Sequence, residues 1–242
     1  SLNFDIKSGE KIGVIGRTGA GKSSMMLALY RMSPFIEGKV RIDGVSINET
    51  RLYDVRRAIS IIPQEPTLFT GTVRSNLDPF NQYDDKTVWD CLEKAHLKSA
   101  IEALPKKLMS PVAENGDNFS VGQRQLMCLA RALAKQTKIL VMDEATASVD
   151  FASDALIQKT VREAFTDCTR LTIAHRLNTI VDSDRILVLD KGRVAEFDSP
   201  KNLVLKADSI FNSMLAETGP ANSAALRKIA LGEQEFEILN DQ

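Results

Sequence analysis

Gly16-Arg17-Thr18-Gly19-Ala20-Gly21-Lys22-Ser23 is a complete G-x-x-x-x-G-K-[ST] pattern, and it constrains this chain more than any other feature. It follows the apolar run Lys11 to Ile15, which reads as a strand, and opens a helical stretch from Lys22 to Arg31. A strand that enters a glycine-rich turn and leaves as a helix turns successive backbone N–H groups and a helix N-terminus toward one point. An anion fits there. In this pattern Lys22 reaches β- and γ-phosphates, Ser23 offers a hydroxyl to Mg²⁺, and the amides from Gly19 to Ser24 form the cradle. A glycine-rich turn before a helix-starting serine accounts for the glycines but leaves the lysine unexplained.

A second signal is Ile139-Leu140-Val141-Met142 followed by Asp143-Glu144, a fully buried strand ending in adjacent acids. Ligands of open α/β sheets bind beyond the carboxyl ends of strands, so these acids belong where the phosphate loop emerges. Asp143 is suited to the Mg²⁺ shell and Glu144 to polarising an attacking water. Further β-like runs are Lys39 to Ile42, Ile59 to Ile62, Arg170 to Ala174 and Arg185 to Leu189, and Leu2 to Ile6 alternates like a strand. The intervening segments read as helical: one carrying Val88, Leu92 and Ala95 and ending before Pro105, one from about Gln123 to Ala134, and Ser153 to Phe165. Pro111 to Ser120 reads as a polar loop. The alternation predicts a parallel sheet covered on both faces, with helices from about 72 to 135 inserted as a subdomain. After Gly219, Ala225, Ile229 and Leu231 among charges allow a peripheral amphipathic helix.

Composition narrows the partners. Lys and Arg total 31 against 32 Asp and Glu, a net charge of −1, which removes the electrostatic case for a nucleic-acid partner. The cysteines, Cys91, Cys128 and Cys168, are widely separated and match neither a disulfide framework nor a zinc site. No apolar run approaches the roughly 18 to 20 residues that cross a bilayer. Because the sequence opens at Ser1 directly on the strand-like Leu2 to Ile6, it reads as a piece of a longer chain.

Asn118-Phe119-Ser120-Val121-Gly122-Gln123, leading into Leu126 to Leu133, resembles the signature motif of ATP-binding cassette domains, whose usual form is LSGGQ. Gln64 in Ile62-Pro63-Gln64 matches the family's Q-loop, Ala147-Ser148-Val149-Asp150 its D-loop and His175 its switch histidine. Thr67 to Phe80 and Ala174 to Ile180 look like the second, C-terminal cassette of subfamily C, the multidrug resistance-associated group. The resemblance implies a P-loop NTPase (RecA-like) α/β core with a small N-terminal antiparallel β subdomain and an inserted α-helical signature subdomain. It implies a cassette over residues 1–217 and a tail over 218–242.

By the same resemblance, Gly16, Arg17, Thr18, Gly19, Ala20, Gly21, Lys22, Ser23, Ser24 and Gln64 bind ATP, and Ser23, Gln64 and Asp143 hold Mg²⁺. Glu144, His175 and Lys22 carry hydrolysis, and Asp150 is the D-loop aspartate. Ser120, Val121, Gly122 and Gln123 close over the ATP of a second cassette, expected to be the N-terminal one of the same polypeptide. Gln64 and Val112 to Gly116 face transmembrane domains on the cytoplasmic side of a membrane. The implied activity is ATP hydrolysis that powers export of organic anions, conjugates or drugs; the alternative is a nucleotide-sensing regulatory cassette of a channel-associated subfamily C protein.

Plain structural readings exist beside these. A lone histidine after a strand, like His175, is ordinarily structural, as His96 is expected to be. Ser120 with Gln123 also fits a helix capping box, and one helix N-terminus serves both purposes. The signature departs from the family at Val121, where a branched side chain replaces the glycine that lets backbone approach a phosphate. The aromatic residue on which family members stack adenine falls upstream of Ser1.

Overall fold

The computed structural model describes residues 2–33, 37–143 and 151–234. Glu144 and Asp150 lie outside the described residues. The chain divides into two compact units, Ser1–Ile59 with Thr169–Gln242, and Ser60–Cys168.

The first unit begins with β1 (Lys11–Ile15), α1 (Lys22–Leu29), β2 (Arg41–Ile42), β3 (Val45–Ser46) and α2 (Leu52–Ala58). The second unit contains β4 (Ile59–Ile62, entered from the first unit), β5 (Gly71–Thr72), α3 (Val73–Leu77), α4 (Asp85–Lys94) and α5 (Lys98–Glu102), then β6 (Pro111–Val112), α6 (Val121–Lys135), β7 (Ile139–Asp143) and α7 (Phe151–Ala164). The chain then returns to the first unit with β8 (Thr169–Ile173), β9 (Arg185–Asp190), β10 (Arg193–Asp198), α8 (Pro200–Leu205), α9 (Ile210–Glu217) and α10 (Pro220–Leu231).

In the first unit the strands lie in the order β10, β9, β1, β8. β1 runs parallel to both neighbours, with Val14 opposite Ile173 on one side and Leu187 on the other. Period-two alternation divides the apolar side chains between the sheet faces. Ile12, Val14, Leu187 and Leu189 join one core with Ala20, while Ile15, Ile186 and Val188 join the other with Phe211, Leu215 and Leu226. With both faces covered, these strands read as continuous apolar runs. The antiparallel element expected near the N-terminus is the β2–β3 pair. Leu226, Ile229 and Ala230 place α10 inside the second of these cores.

Several local expectations change. Leu2–Ile6 joins no strand, although its alternation is real in burial: Phe4 and Ile6 pack on the core while Leu2, Asn3 and Asp5 face solvent. The strand expected over Lys39 to Ile42 shrinks to Arg41–Ile42. β10 escaped the sequence reading and pairs antiparallel with β9, so the sheet is not wholly parallel.

In the second unit β7 lies beside β4. One core gathers Leu140 and Met142 of β7, Ile157 and Val161 of α7 with Phe165 just after it, and the apolar faces of α3, α4 and α6. The polar loop expected over Pro111 to Ser120 begins with β6, which pairs antiparallel with β5, and turns through Glu114–Gly116. α6 starts at Val121, two residues earlier than its periodicity indicates, because the preceding serine caps it.

Candidate functional site

β1 ends at Ile15 against buried neighbours, and the chain must then leave the sheet. Gly16 makes this departure at contact distance from β9: a Cβ on it would lie 2.4 Å from the Leu189 carbonyl oxygen and 2.9 Å from the Ala20 Cβ. The Gly192 N–H, in the turn between β9 and β10, donates to the Ala20 carbonyl at 2.9 Å. The loop is therefore braced from below by a hairpin that lies about 170 residues further along the chain.

Gly21 is the residue that turns the loop into α1. It holds φ 104°, a left-handed conformation that side chains resist, and no side chain caps the helix at this point. The opening N–H groups of a helix have no partner within it, and they carry the positive end of the helix dipole. The first helical bond here is Met25 N–H to the Gly21 carbonyl at 2.9 Å. Arg17, Thr18, Gly19, Ser23 and Ser24 are exposed around this cradle, and Ala20 is buried beneath it. Lys22 is only 7% exposed, and its ammonium donates to the Gly16 carbonyl at 2.7 Å and to that of Arg17 at 3.5 Å. Among the described residues the ammonium is held by loop carbonyls alone, and an anion's oxygens offer it a stronger, charge-assisted partner.

His175 follows β8. The Ala174 N–H donates to the Val14 carbonyl at 3.1 Å, continuing the parallel ladder beside β1. His175 thus leaves the sheet at the same end as Gly16, one strand over, and it is exposed. The first unit accordingly gathers the phosphate loop and His175 at the carboxyl ends of two neighbouring parallel strands.

The second unit carries the other predicted groups. Asp143 ends β7 and is 8% exposed, while Gln64 follows β4 by two residues and is exposed. Ser23, Asp143 and Gln64 all present oxygen donors, the chemistry that Mg²⁺ selects over thiolate or imidazole sites. Glu144 and Asp150 fall in the stretch that is not described.

The signature residues form a reciprocal cap. Ser120 Oγ accepts from the Gln123 N–H at 3.1 Å, and Gln123 Oε1 accepts from the Ser120 N–H at 3.0 Å. Ser120 is exposed, Val121 and Gln123 are partly buried, and Gly122 is buried. The N–H groups of Ser120 and Gln123 are satisfied within the motif, so the structural reading of Ser120 and Gln123 holds. His96 is exposed, with a left-handed backbone after α4, and no site gathers around it among the described residues.

Sequence reasoning missed the bracing residues Leu189 and Gly192. Gly192 is a turn residue, but the charged run Arg193–Asp198 after it carries no hairpin signal. Nothing near it in the sequence says that the turn meets Ala20.

The sequence pattern of the ABC transporter family matches residues 1–147. A chain with this fold, phosphate loop and signature helix is an ABC transporter cassette, and it belongs to that family. Such domains bind ATP, and the family hydrolyses it to drive transport. The chain is 54% identical over 238 residues to the probable multidrug resistance-associated protein lethal(2)03659 of Drosophila melanogaster, covering 98% of this chain and 17% of that protein. It is 56% identical over 225 residues to human ATP-binding cassette sub-family C member 4, covering 93% of this chain and 17% of that one. A solved structure of a bacterial Atm1-family ABC exporter with ATP bound superposes with a TM-score of 0.84 at 34% identity, over 90% of this chain and 38% of that one. The chain thus spans 17% of the length of these curated relatives. Among the described residues no helix is long and apolar enough to cross a membrane.

Proposed function

We propose that this cassette binds ATP at its phosphate loop, with Asp143, Glu144 and His175 serving the reaction, and hydrolyses it in association with a second cassette. The observation that carries the reading is Lys22, buried with its ammonium on the Gly16 carbonyl at the uncapped N-terminus of α1. When a triphosphate arrives, the amides from Gly19 to Ser24 donate to its β-phosphate oxygens, and Lys22 exchanges the loop carbonyls for the β- and γ-oxygens. Phosphoryl transfer to water needs positioning and charge neutralisation above all. Glu144 holds the water and takes its proton, and His175 donates to the γ-phosphate. Ser23, Gln64 and Asp143 would hold Mg²⁺, which when bound supplies positive charge against the phosphate oxygens. Ser120 to Gln123 cover the nucleotide of the partner cassette, and Asp150 is the D-loop aspartate.

The partner in this reading is the N-terminal cassette of the same polypeptide, joined to transmembrane domains, with both cassettes on the cytoplasmic face. Residues 1–217 are the working cassette, with its helical subdomain at about 72–135, and 218–242 form the tail. The high identity to multidrug resistance-associated relatives supports export of organic anions, conjugates or drugs as the work done. Glu144→Gln and Lys22→Ala in the full-length protein test the assignment. Glu144→Gln should retain Mg·ATP binding and lose at least about 100-fold in turnover, the scale of a positioned general base. Lys22→Ala should weaken binding itself. Turnover near wild type in either variant overturns the roles assigned.

A further inference from the structure

Gln125 lies one turn into α6 and is 0% exposed. Its Nε2 donates to the carbonyl of Pro63 at 3.0 Å, bridging 62 positions of sequence. Among the described residues no donor reaches its Oε1, which is buried. A buried amide with one half unmet is a poorer choice for stability than an apolar side chain of the same shape. What it does contribute is one directional bond, and the acceptor of that bond is the residue before Gln64. Proline has no N–H to extend a ladder, so β4 stops at Ile62, and the Pro63 carbonyl is left for Gln125.

The contact is not isolated. One turn further along α6, the Thr67 backbone hydrogen-bonds the Cys128 sulfur. Residues three apart share a helix face, so Gln125 and Cys128 set one face of α6 along the 63–67 segment. From the same turn, Arg124 reaches elsewhere and donates to the Asn115 carbonyl at 2.9 Å. A Cβ on Gly116 would stand 2.8 Å from Leu68 Cδ1, so the 116 turn also lies against the segment that follows Gln64.

We infer that Gln125 is a positioning residue for ATP turnover: its buried bond to the Pro63 carbonyl holds the Gln64 segment and the Ser120–Gln123 end of α6 in one fixed arrangement. The inference rests on the function proposed above, and it assigns a role to a residue outside the sets proposed to hold nucleotide and metal. If the bond is cut, the phosphate loop keeps its grip on ATP because, among the described residues, none of its own hydrogen bonds involves Gln125, while Gln64 and the Ser120–Gln123 end of α6 lose registry with each other. The damage falls on kcat and not on KM.

The test is Gln125→Met in the full-length protein, which keeps an unbranched side chain of similar length and removes the donor. Mg·ATP turnover should fall at least tenfold, with KM and the binding of a fluorescent ATP analogue within about twofold of wild type. Gln64→Ala, added in that background, should cost less than it does alone, because both changes act on the same segment. Turnover within twofold of wild type, or full additivity, overturns the role of Gln125. Lys22→Ala in parallel separates the two levels: if it leaves analogue binding intact, the functional reading fails; if it removes binding while Gln125→Met is silent, only this inference fails. Should the methionine variant not fold, hydrogen exchange on the wild-type protein decides. A non-hydrolysable ATP analogue with Mg²⁺ should protect the amides of Gln64 and Glu65 and those of residues 121–125 with a common midpoint, and separate midpoints overturn the proposal.

Discussion

Replacing Gly16 with alanine tests whether the phosphate loop is held by the hairpin beneath it. The new Cβ would stand 2.4 Å from the Leu189 carbonyl oxygen and 2.9 Å from the Ala20 Cβ. Ordinary C···O contacts begin near about 3.3 Å, so the loop must recede by roughly 1 Å. Leu189 cannot yield, because it is 1% exposed in β9 and stands opposite Val194 in the antiparallel ladder. The displacement passes directly to the Gly16 carbonyl that holds Lys22 at 2.7 Å. Misplacing a positioned group by about 1 Å costs on the order of 100-fold, or roughly 2.7 kcal/mol. Titration with a fluorescent ATP analogue should therefore show affinity lowered by about 10- to 100-fold, with a melting curve as the control for folding. Gly192→Ala is the comparison. Its Cβ would meet nothing within 4 Å, and its N–H can still reach Ala20, so only the left-handed φ of 73° opposes it. That strain is about 1–2 kcal/mol, spread over the turn and not aimed at the loop. Gly192→Ala should bind the analogue within about tenfold of wild type. Gly16→Ala binding within about threefold, or Gly192→Ala proving the worse of the two, would refute the bracing argument.

Other consequences follow from the buried polar contacts. Glu196, 9% exposed on β10, accepts from Ser209 Oγ, the Ile210 N–H and the Phe211 N–H at 3.0, 2.8 and 3.0 Å, so it caps α9. Glu196→Gln turns an amide donor toward these donors and should cost about 2–4 kcal/mol, read as a Tm lowered on the order of 5–10 °C. A hydrogen bond from Arg185 is the main cause that holds the Glu10 carboxyl below its ordinary value of 4.5. The unfolded chain then binds more protons, so this contribution is whole above 4.5 and fades as pH falls toward the lowered folded value. Urea unfolding across that acid range should flatten in Arg185→Met, and an unchanged slope would remove Arg185 as the cause. Ser120→Ala deletes one half of the α6 cap and should cost about 1 kcal/mol, with hydrogen exchange at the Gln123 amide roughly fivefold faster.

Where each element pairs only with its own local pattern, it was legible. β1 and β4 keep the boundaries that their apolar runs imply, and β7, β8 and β9 shift by a residue at most. Two-faced burial leaves continuous branched apolar residues, a signal that needs no partner to be read. The Ser120–Gln123 cap is legible for the same reason, since both partners stand three residues apart. β10 was not legible. Arg193–Asp198 carries charges throughout, and a bulge between Val194 and Glu196 breaks its alternation. Bulges re-aim side chains, and Glu196 is directed at α9. β5 and β6 were missed because a two-residue strand holds no periodicity to detect.

The chain's own order of residues was enough to specify a phosphate loop between a strand and a helix, an acid-ended buried strand and a capped signature helix, because each depends on neighbours within a few positions. Only folding decided what steadies them: Gly192 beneath Ala20, Leu189 behind Gly16, Gln125 on Pro63, Glu196 at the head of α9. These partners come from separate elements, and single directional bonds of this kind leave no pattern in a window of sequence. The loop's chemistry is local, whereas its rigidity is a property of the sheet.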